Sequence, residues 1–289
     1  MPWLLLSLLT ALTVATQDAW VKKYFSHLTA YDMVAYPSLY SLPLFLVTLL
    51  VAPRPSLDAV FAWCLLASLP INAIAFTLHM KAIKISPLSL TVPYLAFTPV
   101  FMILTGRVVL GETLNGWGIL GIAATCFGGY VLNLAPNQHS LVEPIRSILR
   151  EPGSRLMVVV AFIYSVGAVL GKKGILHSSS LFFIVAFFAL FNSLIPLALW
   201  LSGKIRPRTY LRYPYKGLAA GLLMFVHALL HGYAITMAKA AYMIAIKRFS
   251  ILFGVLYGGL IFKETRISIR LAGATLMLSG AVLIMVMGK

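Results

Sequence analysis

Long runs of apolar residues recur along the chain and are separated by short polar segments. Each run has about 17 to 25 residues, the length that an α-helix needs to cross the hydrocarbon core of a bilayer. Ten such runs cover approximately residues 3–21, 33–52, 58–80, 86–108, 113–134, 155–174, 180–202, 216–238, 240–262 and 267–287. Hydrophobic residues make up 61% of the chain and charged residues only 10%, which is far from the composition of a soluble domain. The pattern predicts an all-α integral membrane protein with ten transmembrane helices.

The first run resembles a secretory signal peptide in its position. No basic residue precedes it, and the segment from Gln17 to Trp20 is not the small-residue pattern of a cleavage site. We therefore expect this run to remain in the protein as its first transmembrane helix.

The two halves of the sequence look like copies. A shift of 152 places Gly106 on Gly258, Glu112 on Glu264, Gly121 on Gly273, Gly128 on Gly280, His79 on His231 and Phe101 on Phe253, and a shift of 150 places Lys22, Lys23 and His27 on Lys172, Lys173 and His177. Because each copy has an odd number of spans, the second copy enters the membrane from the opposite side. The sequence predicts two inverted five-helix repeats, residues 1–134 and 155–289, joined by a loop over 135–154. Such repeats place a substrate site near the midplane between the halves.

The net charge is +16, from 23 basic and 7 acidic residues. In a soluble protein this would suggest nucleic acid as a partner. Here most basic residues fall in short loops between spans, so membrane orientation and contact with anionic lipid explain them better. Cys64 and Cys126 both lie within spans, so the sequence suggests neither a disulfide framework nor a cysteine metal site.

Two segments, SPLSLTVPYLAFTPVFMILTGRVVLGE and AAYMIAIKRFSILFGVLYGGLIFKE, contain the fourth and ninth runs. They resemble the signature segments of the EamA branch of the drug/metabolite transporter superfamily. The resemblance implies a ten-helix bundle whose central cavity is lined mainly by the first, third, fourth, sixth, eighth and ninth helices. The Lys-Arg dipeptide also resembles a feature of the organophosphate and nucleotide-sugar carriers of that superfamily, in which it holds phosphate. Only Lys247 and Arg248 carry over on that match.

Lys247 and Arg248 stand side by side within the ninth run. A charge inside a bilayer costs about 2.5 to 3.5 kcal/mol on insertion scales, so an intramembrane pair is a functional-site hypothesis. A guanidinium beside an ammonium suits a phosphate or carboxylate, and we expect the pair to bind an anionic group of the substrate. Two alternatives stay open. Glu112 could reach Lys247 across about 10 Å, or Lys247 could snorkel while Arg248 bonds the carbonyls of a broken helix.

The other substrate-binding candidates are polar side chains within the third, fourth, eighth and ninth runs: Tyr94, His79, His231, Asn72 and Tyr242. Pro93 and Pro99 should interrupt the fourth helix around Tyr94. The two histidines occupy equivalent positions in the halves, where they either relay protons or satisfy hydrogen bonds within the bundle.

Candidates for gating or for the cavity mouth lie at the ends of the runs: Lys22, Lys23, Lys172, Lys173, Glu112 and Glu264. Snorkelling is the alternative role for the lysines. Asp18 is expected to make a simple pair with Lys22, four residues later. This pair is preferred to a role in proton coupling. No glutamate or aspartate lies near the middle of a predicted span, which disfavours a cationic-drug exporter.

The resemblance implies that both termini lie in the cytoplasm. In that arrangement the cytoplasmic side would hold six basic residues and the opposite side fifteen. Because loops rich in lysine and arginine face the cytoplasm, the charge count favours termini outside, against the family. A basic rim that attracts substrate is the alternative explanation.

Together these features indicate a multi-pass transporter of the inner membrane in a prokaryote. We expect a secondary transporter or exchanger that moves a small anionic or zwitterionic metabolite, such as an organophosphate, carboxylate or amino acid, by alternating access. The alternatives are an exporter of amino acids or hydrophobic metabolites with a structural Lys-Arg pair, and a lipid-handling or scaffold membrane protein. The expected partners are the solute and membrane lipids, with the chain a monomer or homodimer. No enzymatic activity, metal, cofactor or ATP-binding loop is indicated.

Overall fold

The computed structural model describes residues 2–131, 151–262 and 268–288. Within these ranges the regular structure is helical throughout. The first half comprises α1 (Pro2–Phe25), α2 (Ala30–Val51), α3 (Ala59–Ile85), α4 (Leu88–Thr91), a 3-10 turn (Val92–Ala96), α5 (Phe97–Leu110) and α6 (Gly116–Val131). The second comprises α7 (Pro152–Leu176), α8 (Ser180–Leu201), a 3-10 turn (Pro207–Arg212), α9 (Pro214–Thr236), α10 (Ala240–Lys247), α11 (Ser250–Phe262) and α12 (Ser268–Met287).

Eight helical segments in the described ranges are long and apolar enough to cross a bilayer. Two shorter apolar helices, Gly116–Val131 and Thr275–Met287, lie where the fifth and tenth spans are expected. The predicted all-helical membrane fold is confirmed, whereas the full count of ten spans stays a prediction. The predicted boundary between the halves, over residues 135–154, falls largely outside the described residues.

Local sequence explains where several helices begin and end. Thr29 accepts a hydrogen bond from the Asp32 backbone N–H, and the Asp32 carboxylate accepts one from the Thr29 backbone, which forms a capping box before α2. The Asp58 side chain caps α3 by accepting a hydrogen bond from the Phe61 backbone N–H, and the Ser179 side chain caps α8 by accepting one from the Phe182 backbone N–H. Gly111 ends α5 with a φ of 68°, a left-handed conformation that glycine adopts without strain.

The fourth and ninth spans are both interrupted. In the fourth, the 3-10 turn from Val92 to Ala96 separates α4 from α5, as the prolines predicted. In the ninth, α10 ends at Lys247 and α11 begins at Ser250. A shift of 152 places the end of the first interruption, Ala96 and Phe97, on Arg248 and Phe249. The interruptions are therefore equivalent.

Helices of one half pack against partners in the other. The first helix of each half packs on the third helix of its counterpart, α1 on α9 and α7 on α3, and α2 packs on α8. A Cβ at Gly121 would lie 2.8 Å from the carbonyl oxygen of Gly280, and a Cβ at Gly128 would lie 2.6 Å from that of Gly273. Equivalent glycines thus exchange partners across α6 and α12, which run antiparallel. Contacts exchanged in this way are what an inverted repeat produces.

Candidate functional site

A cavity of about 180 Å³ lies at the centre of the bundle, between the two halves. Residues from α1, α3, α5, α7, α8, α9, α10 and α11 line it, as do the 3-10 turn of the fourth span and the interruption of the ninth. The family resemblance implied the same spans, with one exception. The seventh span, which is α8, also lines the cavity and supplies an aromatic wall. The lining continues from the middle of the bundle toward the side that carries the chain termini, where Lys172, Ile175 and Ile235 contribute.

Lys247 and Arg248 line this cavity at the interruption of the ninth span. Lys247 Nζ lies 3.5 Å from Nδ1 of His231, so the two sequence candidates meet. Arg248 is only 5% exposed, and its Nε has no hydrogen-bond partner among the described residues. A buried guanidinium with an unsatisfied N–H is costly in the absence of a ligand.

Asp18 lines the same cavity and is 6% exposed. Its Oδ2 lies 3.2 Å from Nε2 of His79, which is within ion-pair distance, but the two atoms make no hydrogen bond. His79 Nδ1 lies 3.2 Å from the hydroxyl of Tyr164. The expected pair between Asp18 and Lys22 is wrong, because Lys22 Nζ instead donates to the carbonyl oxygen of Ser86 at 2.6 Å. The expectation that no acidic residue lies deep in a span is also wrong.

Gln17 and His227 form a second polar contact in the cavity that sequence reasoning did not pair. His227 Nδ1 lies 3.1 Å from Oε1 of Gln17. Because an amide oxygen only accepts, His227 donates from Nδ1. The signal for Gln17 and Asp18 was available: two polar residues within an otherwise apolar span point toward a bundle interior or a water-filled cavity.

The remainder of the cavity wall is mainly apolar. Phenylalanines from α3 and α8 form much of it, namely Phe76, Phe183, Phe187, Phe188 and Phe191. Asn72 also lines the cavity, as predicted, and its Nδ2 donates to the Ser68 carbonyl oxygen at 2.9 Å. The site combines charged groups at its centre with an aromatic wall toward the termini.

Lys172 and Glu112 form an ion pair at the end of the cavity nearer the chain termini. Lys172 Nζ lies 2.5 Å from Glu112 Oε1 and donates to the Ala238 carbonyl oxygen at 2.6 Å. The other oxygen of Glu112 accepts from the backbone N–H of Ala240, 2.8 Å away, at the start of α10. Glu112 is therefore held by Lys172 and α10, which excludes it as the main partner of Lys247.

The lysine at the equivalent position in the first half makes the corresponding backbone contact on the opposite side. Lys22 donates to Ser86, and a shift of 152 places Ser86 on Ala238. Lys22 and Lys172 thus each bond a backbone carbonyl in the short segment that follows the third helix of the same half. Glu264, equivalent to Glu112, lies outside the described residues.

Four other candidates are absent from the cavity lining: Lys23, Lys173, Tyr94 and Tyr242. Lys23 is exposed, with its Nζ 5.4 Å from the centre of the Tyr24 ring, and half-buried Lys173 is absent from the lining. Tyr94 is buried in the core and is likewise absent.

Tyr242 does not line the cavity, because its ring fills the space beside Gly118 of α6. A Cβ at Gly118 would lie 1.9 Å from the Tyr242 hydroxyl, and that hydroxyl lies 3.4 Å from Oδ1 of Asn115. Its side chain therefore joins α10 to α6, and the prediction that it contacts substrate is not supported.

Asp58 shows the ordinary electrostatics of a surface group outside the spans. It accepts the Phe61 backbone N–H at 2.8 Å and lies 2.6 Å from Nδ1 of His177. The Phe61 bond first, and then the contact with His177, hold the pKa of the Asp58 carboxyl below its usual value. This exposed pair joins the two halves near the termini, at a distance from the cavity.

Comparison with known proteins bears first on the fold. A protein of known crystal structure superposes with a TM-score of 0.70 over 97% of this chain and 94% of its own length, at 13% identity. At that identity the likeness shows the fold alone. No curated protein matches the sequence.

The sequence itself matches the model of the EamA-like transporter family over residues 1–134. That family belongs to the drug/metabolite transporter superfamily, and the spanning helices make the chain a multi-pass membrane protein. The matched segment includes Asp18, Asn72, His79 and Glu112, which lie in or beside the cavity. Over residues 1–134 the chain is therefore similar to the EamA-like transporter family.

Proposed function

We propose that this protein is a secondary transporter that moves a small anionic or zwitterionic metabolite by alternating access. Lys247 and Arg248 bind the negatively charged group of the solute. The observation that carries the proposal is the buried Arg248 side chain at the cavity wall, whose Nε has no partner among the described residues. An anion that accepts from this N–H would remove the cost of leaving it unsatisfied.

The charges around the cavity support an anion. Lys172 is neutralised by Glu112 at 2.5 Å. Asp18 is the acidic residue of the described cavity lining, to which Lys247 and Arg248 also belong. One negative charge against two positive charges leaves a surplus of one positive charge among these three groups. A monoanion balances that surplus, and a zwitterion can place its ammonium toward Asp18.

The inverted repeat provides a way to expose the cavity on each side in turn. The lining continues toward the terminus side, where Lys172 and Glu112 stand. On the opposite side, Lys22 bonds Ser86. In the proposed cycle the Lys172–Glu112 ion pair, which joins the two halves, forms and breaks as one half rocks against the other, whereas the Lys22 contact lies within the first half. We also propose that the protein transports its solute across the inner membrane of a prokaryote.

The aromatic wall favours a second candidate, an exporter of a more hydrophobic metabolite. In that case Phe183, Phe187 and Phe191 would supply most of the binding free energy, and the Lys-Arg pair would be structural. The two candidates differ in one measurable property, the dependence of binding on the charge of the solute.

The first test is ligand-induced thermal stabilisation of the purified protein. The panel contains dimethyl phosphate, pyruvate, succinate, phenylalanine and tetraethylammonium. We expect the anions to stabilise the protein, and we expect Arg248→Ala to weaken their affinity on the order of a hundredfold. Truncation of one member of a buried charged contact typically costs about 2 to 5 kcal/mol. Lys23→Ala removes the same charge from an exposed position and serves as the control.

Flux in proteoliposomes then separates transport from the lipid-handling or scaffold alternative. Uptake of the stabilising anion by the parent protein, with none by Arg248→Ala, supports the proposal. Stabilisation by tetraethylammonium or phenylalanine alone, unchanged in the variant, would overturn the assignment of the pair. Binding without any solute flux would favour the scaffold.

A further inference from the structure

A second group of polar side chains in the cavity lies apart from the proposed anion-binding pair. Asp18 Oδ2 lies 3.2 Å from His79 Nε2, and the Tyr164 hydroxyl lies 3.2 Å from His79 Nδ1 on the other side of the imidazole. Asp18 is 6% exposed and His79 is 4% exposed. All three residues line the cavity, so a proton or solute that enters it can reach them.

The contacts of His79 are incomplete. Its Nε2 lies 3.2 Å from Asp18 yet has no hydrogen-bond partner among the described residues. A neutral imidazole carries a single N–H and can donate from only one of its nitrogens. A protonated imidazole keeps the contact with Tyr164 and places a positive charge 3.2 Å from the Asp18 carboxylate, an attraction that the neutral ring lacks. The geometry is therefore suited to accept one more proton.

The charged groups near Asp18 and His79 determine how a proton on this pair affects the binding of a solute. The other titratable or charged groups on the cavity side of the pair come from α7, α9 and the ninth span: Tyr164, His227, His231, Lys247 and Arg248. α8 and the fourth span contribute no titratable side chain to the described lining. Lys172 also lines the cavity but is neutralised by Glu112, and Tyr257 of α11 bonds Thr16, on α1 near Asp18. The pair thus faces mainly positive charge.

We propose that Asp18 and His79 together bind a proton that is transported with the substrate anion, so that the protein is a proton–anion symporter. This inference rests on the proposed function, because it requires an anion at Lys247 and Arg248. An anion there offsets the two cations that oppose protonation of the pair. A proton on the pair in turn makes the cavity more positive and strengthens anion binding. The two ligands favour one another reciprocally, which is the condition for symport rather than exchange.

The test measures anion affinity at two pH values. Dimethyl phosphate and pyruvate are suitable probes, because neither changes charge between about pH 5.5 and about pH 8, the interval in which imidazoles titrate. In the parent protein we expect affinity for these anions to fall about tenfold from the acidic to the alkaline pH, within the usual range of coupling between sites. Asp18→Asn and His79→Gln, which conserve shape, should each flatten this dependence.

The chain offers a matched control. Asp58 and His177 form a second contact between an aspartate and a histidine, at 2.6 Å, on the surface and away from the cavity. Asp58→Asn and His177→Gln should leave the pH dependence of anion affinity as in the parent. Thermal unfolding of every variant without ligand establishes that each one is folded.

Transport in proteoliposomes decides between symport and exchange. An imposed gradient, acidic outside, should drive accumulation of the probe and should fail to do so with a protonophore present. Asp18→Asn should still exchange labelled for unlabelled probe but should not accumulate it.

The failures are distinguishable. If the parent binds neither probe at either pH, both the proposed function and this inference are wrong. If it binds them equally at both pH values and Asp18→Asn behaves like the parent, only the coupling is wrong. Accumulation driven by an interior acidic gradient would also overturn symport.

Discussion

The fourth and ninth spans are interrupted at equivalent positions, yet they present different chemistry to the cavity. A shift of 152 places Leu95 and Ala96 on Lys247 and Arg248. In the first half the interruption contributes the apolar Leu95, and in the second it contributes two cations. The scaffold is thus repeated in the two halves while the chemistry of the site is not.

The first helices of the halves show the same division. Under the shift of 150, Asp18 corresponds to Ala168, and both line the cavity. The first half therefore supplies the acid and the second half supplies the cations. A symmetric scaffold with asymmetric side chains can hold a solute in a defined orientation, whereas two identical half-sites would not distinguish its ends.

The largest expected effect comes from giving the second interruption the residues of the first. In Lys247→Leu with Arg248→Ala we expect stabilisation by dimethyl phosphate and pyruvate to disappear. Without ligand, the Tm should stay the same or rise, because replacement of buried charges by apolar residues is often neutral or stabilising. Thermal unfolding with and without the probes measures both quantities.

Lys23→Leu, on the exposed surface, should keep the response of the parent protein to both anions. If the double variant retains that response, the cations are not the source of the asymmetry. If it unfolds without ligand, the pair is structural.

A smaller effect is expected at the ion pair on the terminus side. Lys172→Met leaves the Glu112 carboxylate without its cation and the Ala238 carbonyl oxygen without that donor. Removal of one partner of such a pair should lower the free energy of unfolding by about 3 kcal/mol. Denaturant or thermal unfolding in detergent measures the change.

A double-mutant cycle with Glu112→Gln separates the ion pair from the backbone contact. The amide oxygen can still accept from Ala240, so this variant removes mainly the charge. We expect the double variant to be less destabilised than the sum of the single variants by about 1 to 3 kcal/mol. Strict additivity would show that Lys172 and Glu112 do not act as a pair.

The smallest effect concerns the helix caps, which also differ between the halves. The third helix of the first half is capped by Asp58, whereas the third helix of the second half begins at Pro214 without a side-chain cap. Asp58→Ala should lower the Tm slightly near neutral pH. The pKa of Asp58 is depressed by folding, so its contribution is present above its unfolded value and is lost as the pH falls through the folded value.

Asp58→Asn provides the matched comparison, because the amide can still accept the Phe61 N–H without a charge. We expect it to fall between the parent and Asp58→Ala near neutral pH. As the solution becomes acidic, the Tm of the parent should approach that of Asp58→Asn, while the difference between the two variants should stay the same. A difference between parent and Asp58→Ala that is independent of pH would contradict the electrostatic contribution.

Much of the scaffold could be predicted from the sequence. Hydrophobic runs of bilayer length defined the helices, and repeated glycine, lysine and histidine positions indicated the inverted halves. Lys247, Arg248, His79, His231 and Asn72 were predicted to contact substrate, and all five line the cavity. They share a property that sequence alone shows, a polar side chain within an apolar span.

The predictions that failed concern side chains whose partners lie on a different helix. Asp18 has a lysine four residues later, and that spacing suggested a pair on one helix face. The structure places His79 of another helix against it instead. Tyr242 was predicted to contact substrate, but its ring instead fills the space that the missing side chain of Gly118 leaves on another helix. Neither partner can be found from spacing along one helix.

The exchange of partners between the halves also constrains how the protein is made. The ribosome completes α1 and α3 long before α9 and α7, against which they pack. Until synthesis has passed Thr236, Asp18 and His79 lie in the bilayer without most of the second half that surrounds them in the finished protein. The early helices therefore remain in the bilayer without their packing partners until the second half has been inserted.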